Sequence, residues 1–600
     1  MVSRRNFISI ILMMAVLFFM FQFSQVIKIR GNDYNINEYI NEETLITEDD
    51  VYEVPIDEFV LFLGDGSGDT GRHVEEWCFY SKFKMRAHTD VADTIPSEWN
   101  LAKVILVDSS SFDAIANVSL LEEQVRSGKP VIFCNLPEVS EIRKSTEFCN
   151  FLGISSVKED SVTVEGIEFF DGFLLGGEAA YKAAKPEDEK YADLDLEMPW
   201  FETDTGVTAY GIGLLDSVDD NANRYPRIVW RHSFGDGFVA AVNGDYLATD
   251  ASCGFLSALY YEVSDYSIYP VVNSRNMVVS EFPFVTDENA AQIAEEYSMT
   301  PTALCRDIVW PSVLSISEIN NLKLTCALPM GYESLLESTG SSKYASFYLG
   351  QINEIDGEAA LSVNFDDEGS VRDRMLSGLK FWNEESRGYR FGVMFADRMD
   401  SGMLRERTVG NEVTFRTVVT EETDNEFRDF FYLDKSMLVL PVTERAEEYS
   451  YSKDLTFRSR LSSIGYSNIL IDMHDVQWPE DTKDEWQNLS KELSGNIHTH
   501  WGKNDYFDYT PVSQSDTRVR KFLQSGYKTY KDENGIINLE LYGSDESYYI
   551  LRTHGEEIDE IACASYTELE DGVYLLHCYN TKVMITLKES DNVLSFKGVL

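Results

Sequence analysis

The chain has 600 residues, with a hydrophobic fraction of 44% and an aromatic fraction of 13%. This length exceeds what one hydrophobic core can organise, so we expect about two to four globular domains. The formal net charge of −51 excludes nucleic-acid binding, because phosphate contacts need clustered Lys and Arg side chains. Such an acidic surface is either a solvated exterior or one that attracts cationic partners, including polymers with free amines.

The N-terminal segment carries Arg4 and Arg5, followed by an uncharged apolar run at residues 6–27. This run is long enough to cross a bilayer as a helix, and no A-x-A-like cleavage site follows it. We therefore predict a signal anchor over residues 1–30, with the bulk of the chain extracytoplasmic. Residues 31–55 are polar and acidic and are interpreted as a tether.

Strands alternate with helices between residues 56 and 266. The predicted elements are strands at 59–63, 104–107 and 130–134, a helix at 120–127, and a β pair at 227–230 and 238–242. This alternation favours a flavodoxin-like doubly wound α/β domain. The segments LEEQVRSGKPVIF and RIVWRHSFGDGFVAAVNGDYL also resemble class I glutamine amidotransferase-like domains.

Two features of this domain have a chemical and a structural interpretation. The loop at residues 64–71, GDGSGDTG, follows a strand but lacks the lysine of a phosphate-binding loop, so a plain turn is favoured. Cys134 also follows a strand, but no Gly-x-Cys-x-Gly turn surrounds it, which favours a structural cysteine over a nucleophile.

The eight cysteines are scattered without a C-x-x-C pair, and several lie in apolar runs. This distribution is typical of small buried hydrophobic side chains and supports neither a zinc site nor a disulfide framework. A disulfide between Cys563 and Cys578 is the alternative, if both lie on adjacent C-terminal strands.

Seven β runs separated by helical segments follow between residues 270 and 530. The runs are 277–280, 322–328, 360–365, 391–395, 437–441, 468–473 and 496–499. Such a pattern predicts a distorted (β/α)7 barrel, in which functional residues lie at the carboxyl ends of the strands. Residues 535–600 contain short alternating strands and predict a small all-β module.

Six segments of this region occur in the order of a known family: NMVVSEFPF, CRDIVWPSVLSISEINNLKLTCAL, GEAALSVNFDD, FGVMFADRMDSG, LVLPVTERAEEY and NILIDMHDVQWPED. They resemble the NodB-like polysaccharide deacetylase superfamily (carbohydrate esterase family four). Within it, the resemblance is closest to the uncharacterised membrane-anchored deacetylase-like proteins of Gram-positive Pel-type exopolysaccharide loci.

The resemblance implies metal-dependent amide hydrolysis by a set of residues that is mostly replaced here. An aspartate and two histidines would hold the metal, a second aspartate would act as base, and a late histidine as acid. The base position is occupied by Ser280 and the carboxylate ligand position by Glu281. Ser362 and Asp366 stand at the two histidine positions, and His474 matches the late histidine. The catalytic candidates that remain are Glu281 and His474.

With both ligand histidines replaced, no metal cofactor is expected. If a divalent ion such as zinc does bind, the resemblance leaves Glu281, Asp366 and His474 as its ligands. An alternative three-histidine site would combine His474 with His498 and His500, which share one face if residues 496–499 form a strand.

Acidic and aromatic side chains near the predicted barrel mouth are candidates for substrate binding: Asp307, Trp310, Trp478 and Trp501. Aromatic rings commonly stack on sugars, although packing in the core or at the rim is the alternative.

The sequence therefore predicts a membrane-anchored, extracytoplasmic pseudoenzyme. It would support cell-surface exopolysaccharide synthesis, modification or export by binding amino-sugar polymer without catalysis. Its partners would be that polymer, the membrane and other proteins of exopolysaccharide synthesis. The alternatives are an active metal-dependent N-deacetylase, a glycoside hydrolase using a carboxylate pair such as Glu281 and Asp307, and a protein–protein scaffold.

Overall fold

The computed structural model describes residues 45–56, 58–183, 193–194, 196–216, 225–262, 265–329, 341–363, 378, 380–382, 389, 391–398, 408–409, 413–423, 427–480, 482, 484–502, 505–544 and 546–589. Within these ranges no helix is both long enough and apolar enough to cross a membrane. The predicted signal anchor at residues 1–30 and most of the predicted tether at residues 31–55 lie outside them.

The N-terminal domain is built on a mixed nine-stranded sheet of order β2-β1-β3-β4-β11-β10-β9-β6-β7, and β5 and β8 form a separate ribbon. Its strands are β1 (Phe59–Leu63), β2 (Lys84–His88), β3 (Ile105–Asp108), β4 (Val131–Asn135), β5 (Ile154–Val164), β6 (Gly166–Phe169), β7 (Ala179–Lys182), β8 (Leu196–Thr203), β9 (Val207–Gly213), β10 (Arg227–Phe234) and β11 (Gly237–Val242). Its helices are α1 (Asp69–Ser81), α2 (Pro96–Leu101), α3 (Val118–Arg126), α4 (Val139–Ile142), α5 (Thr146–Leu152) and α6 (Ser252–Tyr261).

The first five strands of this sheet are parallel, as the alternating sequence pattern predicts. Every residue of β1 is buried, because helices cover both faces of the sheet. In α3 the buried residues Val118, Leu121 and Val125 recur at helical spacing and form the face that packs on the sheet.

The middle region forms a curved parallel half-barrel. Its strands and neighbours are β12 (Ser267–Val271), β13 (Ser274–Val279), β14 (Leu324–Pro329), β15 (Glu358–Val363), β16 (Val393–Arg398), β17 (Thr408–Val409), β18 (Val413–Thr414), β19 (Thr417–Glu422), β20 (Phe431–Tyr432), β21 (Leu438–Pro441), β22 (Glu444–Arg445) and β23 (Tyr466–Ile471). Its helices are α7 (Ala290–Tyr297), α8 (Pro301–Leu304), α9 (Trp310–Ile319), α10 (Ser341–Glu354), α11 (Tyr451–Ile464), α12 (His474–Gln477), α13 (Trp486–Asn496) and α14 (Val512–Gln524).

The order of the half-barrel strands is β20-β21-β19-β16-β15-β14-β13-β23-β22. All neighbours are parallel except the short β20, which runs antiparallel to β21. The consecutive strands β21 and β22 pair with β19 and β23 respectively, so one run of chain bridges the two ends of the sheet.

Six of the seven predicted β runs fall on strands of this sheet, and the seventh is wrong. Residues 496–499 belong to a π-helical turn, Ile497–Trp501, that continues α13. The physical reason is a helical apolar period, because Leu493, Ile497 and Trp501 are all buried on one face. His498 and His500 therefore do not share a strand face. The strands that the prediction missed are β19 and the two-residue strands β20 and β22.

The C-terminal module is a sandwich of two four-stranded antiparallel sheets, β12-β26-β29-β28 and β24-β25-β30-β27. Its remaining strands are β24 (Gly526–Lys531), β25 (Ile537–Tyr542), β26 (Ser547–Arg552), β27 (Glu556–Ala562), β28 (Ala564–Glu570), β29 (Val573–Cys578) and β30 (Lys582–Glu589). Strand β12, from upstream of the half-barrel, pairs with β26. Cys563 is an exposed free thiol and Cys578 a buried one, so the alternative disulfide is not formed.

Helix α14 packs against the amino ends of the half-barrel strands. The Ser513 backbone N–H donates to Glu358 (2.8 Å), and the Thr417 hydroxyl donates to Asp516 (2.9 Å). The side chains of Glu358 and Thr417 face the interior of the half-barrel. Because side chains alternate along a strand, the residues four positions later on the same strands also face the interior. Ser362 and Glu421 are those residues, and they lie at the carboxyl ends.

The N-terminal domain packs on the half-barrel through a close crossing of α6 and α11. The backbone N–H of Gly254 donates to the Ser459 hydroxyl at 2.8 Å. A Cβ atom at Gly254 would lie 2.6 Å from Ser459 Cα, so the crossing requires glycine. This contact helps to hold the N-terminal domain beside the carboxyl end of the half-barrel.

Candidate functional site

Polar side chains converge at the carboxyl ends of β13, β19, β22 and β23. We call them the mouth cluster, and its members are Ser280, Glu281, Glu421, Arg445, Asp472 and His474. Most of them directly follow a buried strand, which places them at the edge where parallel α/β folds put their functional residues. Ser280 is 2% exposed, and its hydroxyl donates to Asp472 Oδ1 at 2.9 Å.

Arg445 is surrounded by carboxylates. Its Nε donates to Glu421 Oε1 at 2.5 Å, and its Nη1 lies 3.4 Å from Glu447 Oε1. Its Nη2 lies 3.6 Å from Asp472 Oδ2. Burial raises the pKa of Glu447 to about 7 and also raises the pKa of Glu421, despite the guanidinium beside both. The carboxylates at this edge therefore outnumber the cations that neutralise them.

Glu281 and His474 form a charged hydrogen bond at the centre of the cluster. The distance from Glu281 Oε2 to His474 Nδ1 is 2.7 Å, and Glu281 is only 6% exposed. Glu281 adopts a left-handed backbone conformation with φ of 49°. The hydrogen bond to Glu281 raises the pKa of His474 to about 9, so the imidazole is protonated at neutral pH.

Trp478 is the predicted substrate residue that the structure places beside the cluster. It directly follows the short helix α12 and is 39% exposed. Its ring lies 6.5 Å from the His474 ring, at an interplanar angle of 20°. One edge of the mouth is therefore lined by an accessible aromatic ring.

The other three predicted substrate residues lie elsewhere. Trp310 and Trp501 are 2% and 0% exposed and pack in the core, so neither ring offers a face to a ligand. Asp307 is exposed on the π-helical turn Cys305–Val309, where it pairs with Arg306 at 2.6 Å.

The described residues at the metal-ligand positions do not fit a divalent ion. Glu281 is bonded to His474, and Ser362 offers only a hydroxyl group, which is a weak ligand. Across the described ranges, no group of three or more His, Cys, Asp or Glu side chains could hold a metal. Asp366, the remaining candidate ligand, lies outside these ranges.

Sequence reasoning missed Glu421, Arg445 and Asp472. The available signal was similar for all three: Glu421 and Asp472 directly follow β runs, and Arg445 lies a few residues after the run LVLP. What the sequence does not show is that these three runs are neighbours in one sheet.

Comparisons with known proteins give low similarities. Residues 217–355 match a family described as "Uncharacterised protein conserved in bacteria (DUF2194)". No curated protein matches the chain. The matched residues include β13 and β14 of the half-barrel.

Three solved structures illustrate the structural similarities. A Parabacteroides distasonis protein described provisionally as a glycoside hydrolase/deacetylase is 10% identical, with a TM-score of 0.28, over 47% of this chain and 82% of that one. A Bacteroides uniformis protein described provisionally as ThuA-like is 10% identical, with a TM-score of 0.23, over 35% and 93%.

The exo-β-1,4-mannosidase Op5Man5 from Opitutaceae bacterium strain TAV5 is 14% identical, with a TM-score of 0.23, over 34% of this chain. The match covers 35% of the mannosidase, about a third of its length. At these identities and TM-scores the similarities carry no argument about function. Function is therefore inferred from the mouth cluster.

Proposed function

We propose that the protein binds an amino-sugar polymer of the cell surface at the mouth of the half-barrel without hydrolysing it. The observation that carries this proposal is the exposed Trp478 ring beside the carboxylates that surround Arg445. A sugar ring stacks on an aromatic face, while its hydroxyl and ammonium groups bond to neighbouring carboxylates.

Binding without catalysis is supported by the chemistry of the residues at the catalytic positions. A serine hydroxyl is not a base at neutral pH, and the Ser280 hydroxyl donates a hydrogen bond to Asp472. Glu281 is already bonded to the His474 imidazolium. Neither side chain is therefore available to activate a water molecule.

The sequence supports a location for this activity. The apolar run at residues 6–27 would anchor the chain in the membrane, with the remainder on the extracytoplasmic side. Two contacts connect the N-terminal end of the described chain to the amino-end side of the half-barrel: Arg520 Nη1 donates to the Ile46 carbonyl (2.7 Å), and the Glu48 N–H donates to the Lys435 carbonyl (2.9 Å). The mouth would bind the polymer on the extracytoplasmic side, together with other proteins of exopolysaccharide synthesis.

Calorimetric titration of the full-length protein with a glucosamine hexamer tests the proposal. Trp478→Ala should weaken binding about tenfold, because it removes the stacking surface. Phe347→Ala is the matched control, since Phe347 is 45% exposed on α10, away from the mouth cluster. Unchanged affinity of the Trp478→Ala variant would contradict binding at the mouth.

The Glu281–His474 pair favours one second candidate, an amide hydrolase. An imidazolium with a pKa of about 9 can donate a proton to a departing amine. Acetate release from an N-acetylglucosamine hexamer, with and without added zinc, separates the two candidates. Release that disappears in His474→Gln would establish the hydrolase, whereas binding without release establishes the proposed function.

A further inference from the structure

A cavity of about 660 Å³ lies between the N-terminal domain and the carboxyl ends of the half-barrel strands. The N-terminal domain contributes Glu76 from α1 and Asp250 from the residues before α6, and the half-barrel side contributes Glu422, Arg428 and Arg460. We propose that this cavity is a second subsite, in which a further amino-sugar unit of the same polymer binds through its ammonium and hydroxyl groups. This inference rests on the proposed function of the mouth.

The cavity is continuous with the mouth cluster. A neighbouring cavity of about 450 Å³ shares Asp250 and Glu421 with it and also includes Arg445. Glu421 and Arg445 are hydrogen-bonded members of the mouth cluster. A polymer seated at the mouth therefore lies next to the space between the domains.

The charge of the lining favours an ammonium group. The walls carry the carboxyl groups of Glu76, Asp250, Glu421, Glu422 and Asp429 and the guanidinium groups of Arg398, Arg428 and Arg460. Burial raises the pKa of Glu76 to about 7 and also raises the pKa of Asp429, so the negative charge that meets a ligand comes mainly from Asp250 and Glu422. Glu76 is 8% exposed, and its carboxylate lies 3.5 Å from His73 Nδ1. Asp250 and Glu422 are exposed, so their carboxylates can meet a ligand.

The arginines supply the second part of the recognition. Arg428 Nη1 is buried and has no hydrogen-bond partner within the described ranges, whereas Arg460 Nη1 is ion-paired with Glu444 Oε1 at 3.7 Å. The Arg428 guanidinium stacks on Phe79 at 4.1 Å, and Arg460 Nε donates to Asp429 Oδ1 at 2.6 Å. A buried N–H group without an acceptor is costly, and a sugar hydroxyl oxygen would accept from it.

A ligand with both kinds of group matches this lining. A simple anion would meet the exposed carboxylates of Asp250 and Glu422, and a simple polyamine would leave the Arg428 Nη1–H group without an acceptor. An amino sugar carries an ammonium donor and several hydroxyl acceptors on one compact ring. The structure therefore assigns to the cavity the same ligand class as the mouth, with a preference for de-N-acetylated units.

The test compares oligomers of different length and acetylation on the full-length protein. The variant Asp250→Asn/Glu422→Gln replaces two exposed carboxylates of the cavity with amide groups of nearly the same shape. Its matched control is Asp236→Asn/Glu123→Gln, which makes the same chemical changes at exposed positions of the N-terminal domain that do not line the cavity. Thermal unfolding checks that both variants are folded.

We expect the cavity variant to bind the glucosamine hexamer about tenfold more weakly than the control variant does. Affinity for the glucosamine dimer, which fills only the mouth, and for the N-acetylglucosamine hexamer should change less than about twofold. Equal affinity of the two variants for the glucosamine hexamer would overturn the inference. An equal loss for the acetylated hexamer would overturn the assignment to an ammonium group.

The two proposals fail differently. If Trp478→Ala weakens binding while Asp250→Asn/Glu422→Gln does not, the mouth binds polymer and the cavity is not a subsite. If the wild-type protein binds none of the oligomers, the proposed function is wrong and the second subsite is wrong with it.

Discussion

Glu281 and His474 lie 193 positions apart in the chain and meet at 2.7 Å. His474 is 34% exposed and Glu281 is 7% exposed at the side-chain level, so water screens the pair from one side only. The raised pKa of His474 is thus a local property of one contact. This cause of the raised pKa can be tested by replacing the Glu281 carboxylate with an amide.

Glu281→Gln should lower the pKa of His474 from about 9 toward its ordinary value of 6.5, because the amide removes the negative partner. The folded-state pKa is raised, so the pair's contribution to the free energy of unfolding is fully present below pH 6.5 and is lost as pH rises to about 9. NMR titration of the His474 ring measures the first effect, and denaturant unfolding at several pH values measures the second.

Glu546→Gln is the control for this experiment. Glu546 pairs with His577 at 3.1 Å on the sandwich, so the substitution breaks another Glu–His contact far from the mouth cluster. It should leave the His474 titration unchanged. A His474 pKa that stays near 9 in Glu281→Gln would show that Glu281 is not its cause.

Arg445 shows what residue-level reasoning could not supply. The segment LVLPVTER predicts a strand followed by charged residues, and that prediction is confirmed. The choice of Arg445 as the partner of Glu421 depends on β19 and on the β21–β22 run being neighbours. Pairing between distant segments is fixed by packing, so the composition of either segment does not reveal it.

At the scale of elements, the local pattern of apolar residues was sufficient to predict most strands of the half-barrel. The buried runs of β13, β14 and β15 appear directly in the sequence as predicted β segments. The error at residues 496–499 came from a short stretch in which strand and helix patterns compete. The apolar repeat from Leu493 to Trp501 identifies the helix correctly. A longer stretch of sequence was therefore needed to predict a helix at residues 496–499.

Element packing gives the next prediction, at the crossing of α6 and α11. Gly254→Ala should lower the free energy of unfolding by about 1–3 kcal/mol, because the new methyl group would press against Ser459 in a closely packed contact. Denaturant unfolding monitored by circular dichroism measures this change.

Gly350→Ala on α10 is the matched control, because no atom lies within 4 Å of a Cβ added there. Alanine favours helix over glycine, so this substitution should stabilise the protein by roughly 0.5–1 kcal/mol. If both substitutions stabilised the protein, helix propensity rather than the α6–α11 contact would determine stability at Gly254.

For the whole molecule, the net charge of −51 could be read from the sequence, but the cavity between the domains could not. Its walls come from α1, from the residues before α6, and from the ends of β16, β19 and β21. No single segment of the sequence indicates that this cavity exists. It exists because the N-terminal domain docks at the end of the half-barrel where the carboxylates converge.

The acidic surface and the carboxylate-lined cleft together predict a strong dependence of binding on ionic strength. Raising the salt concentration from about 0.1 M to about 1 M shortens the Debye length from about 10 Å to about 3 Å. Affinity for the glucosamine hexamer should then fall about tenfold or more, because attraction between the protein and the ammonium groups is screened. Calorimetric titration over this range measures the loss.

The N-acetylglucosamine hexamer provides the control, since it offers the same rings and hydroxyl groups without the ammonium charge. Its affinity should change little over the same range of salt, because stacking on Trp478 and hydroxyl contacts are short-ranged. Equal salt dependence for both oligomers would contradict a role for the carboxylates in choosing the polymer. A difference confined to the amine-bearing hexamer would connect the charge of the whole chain to the ligand preference of its cleft.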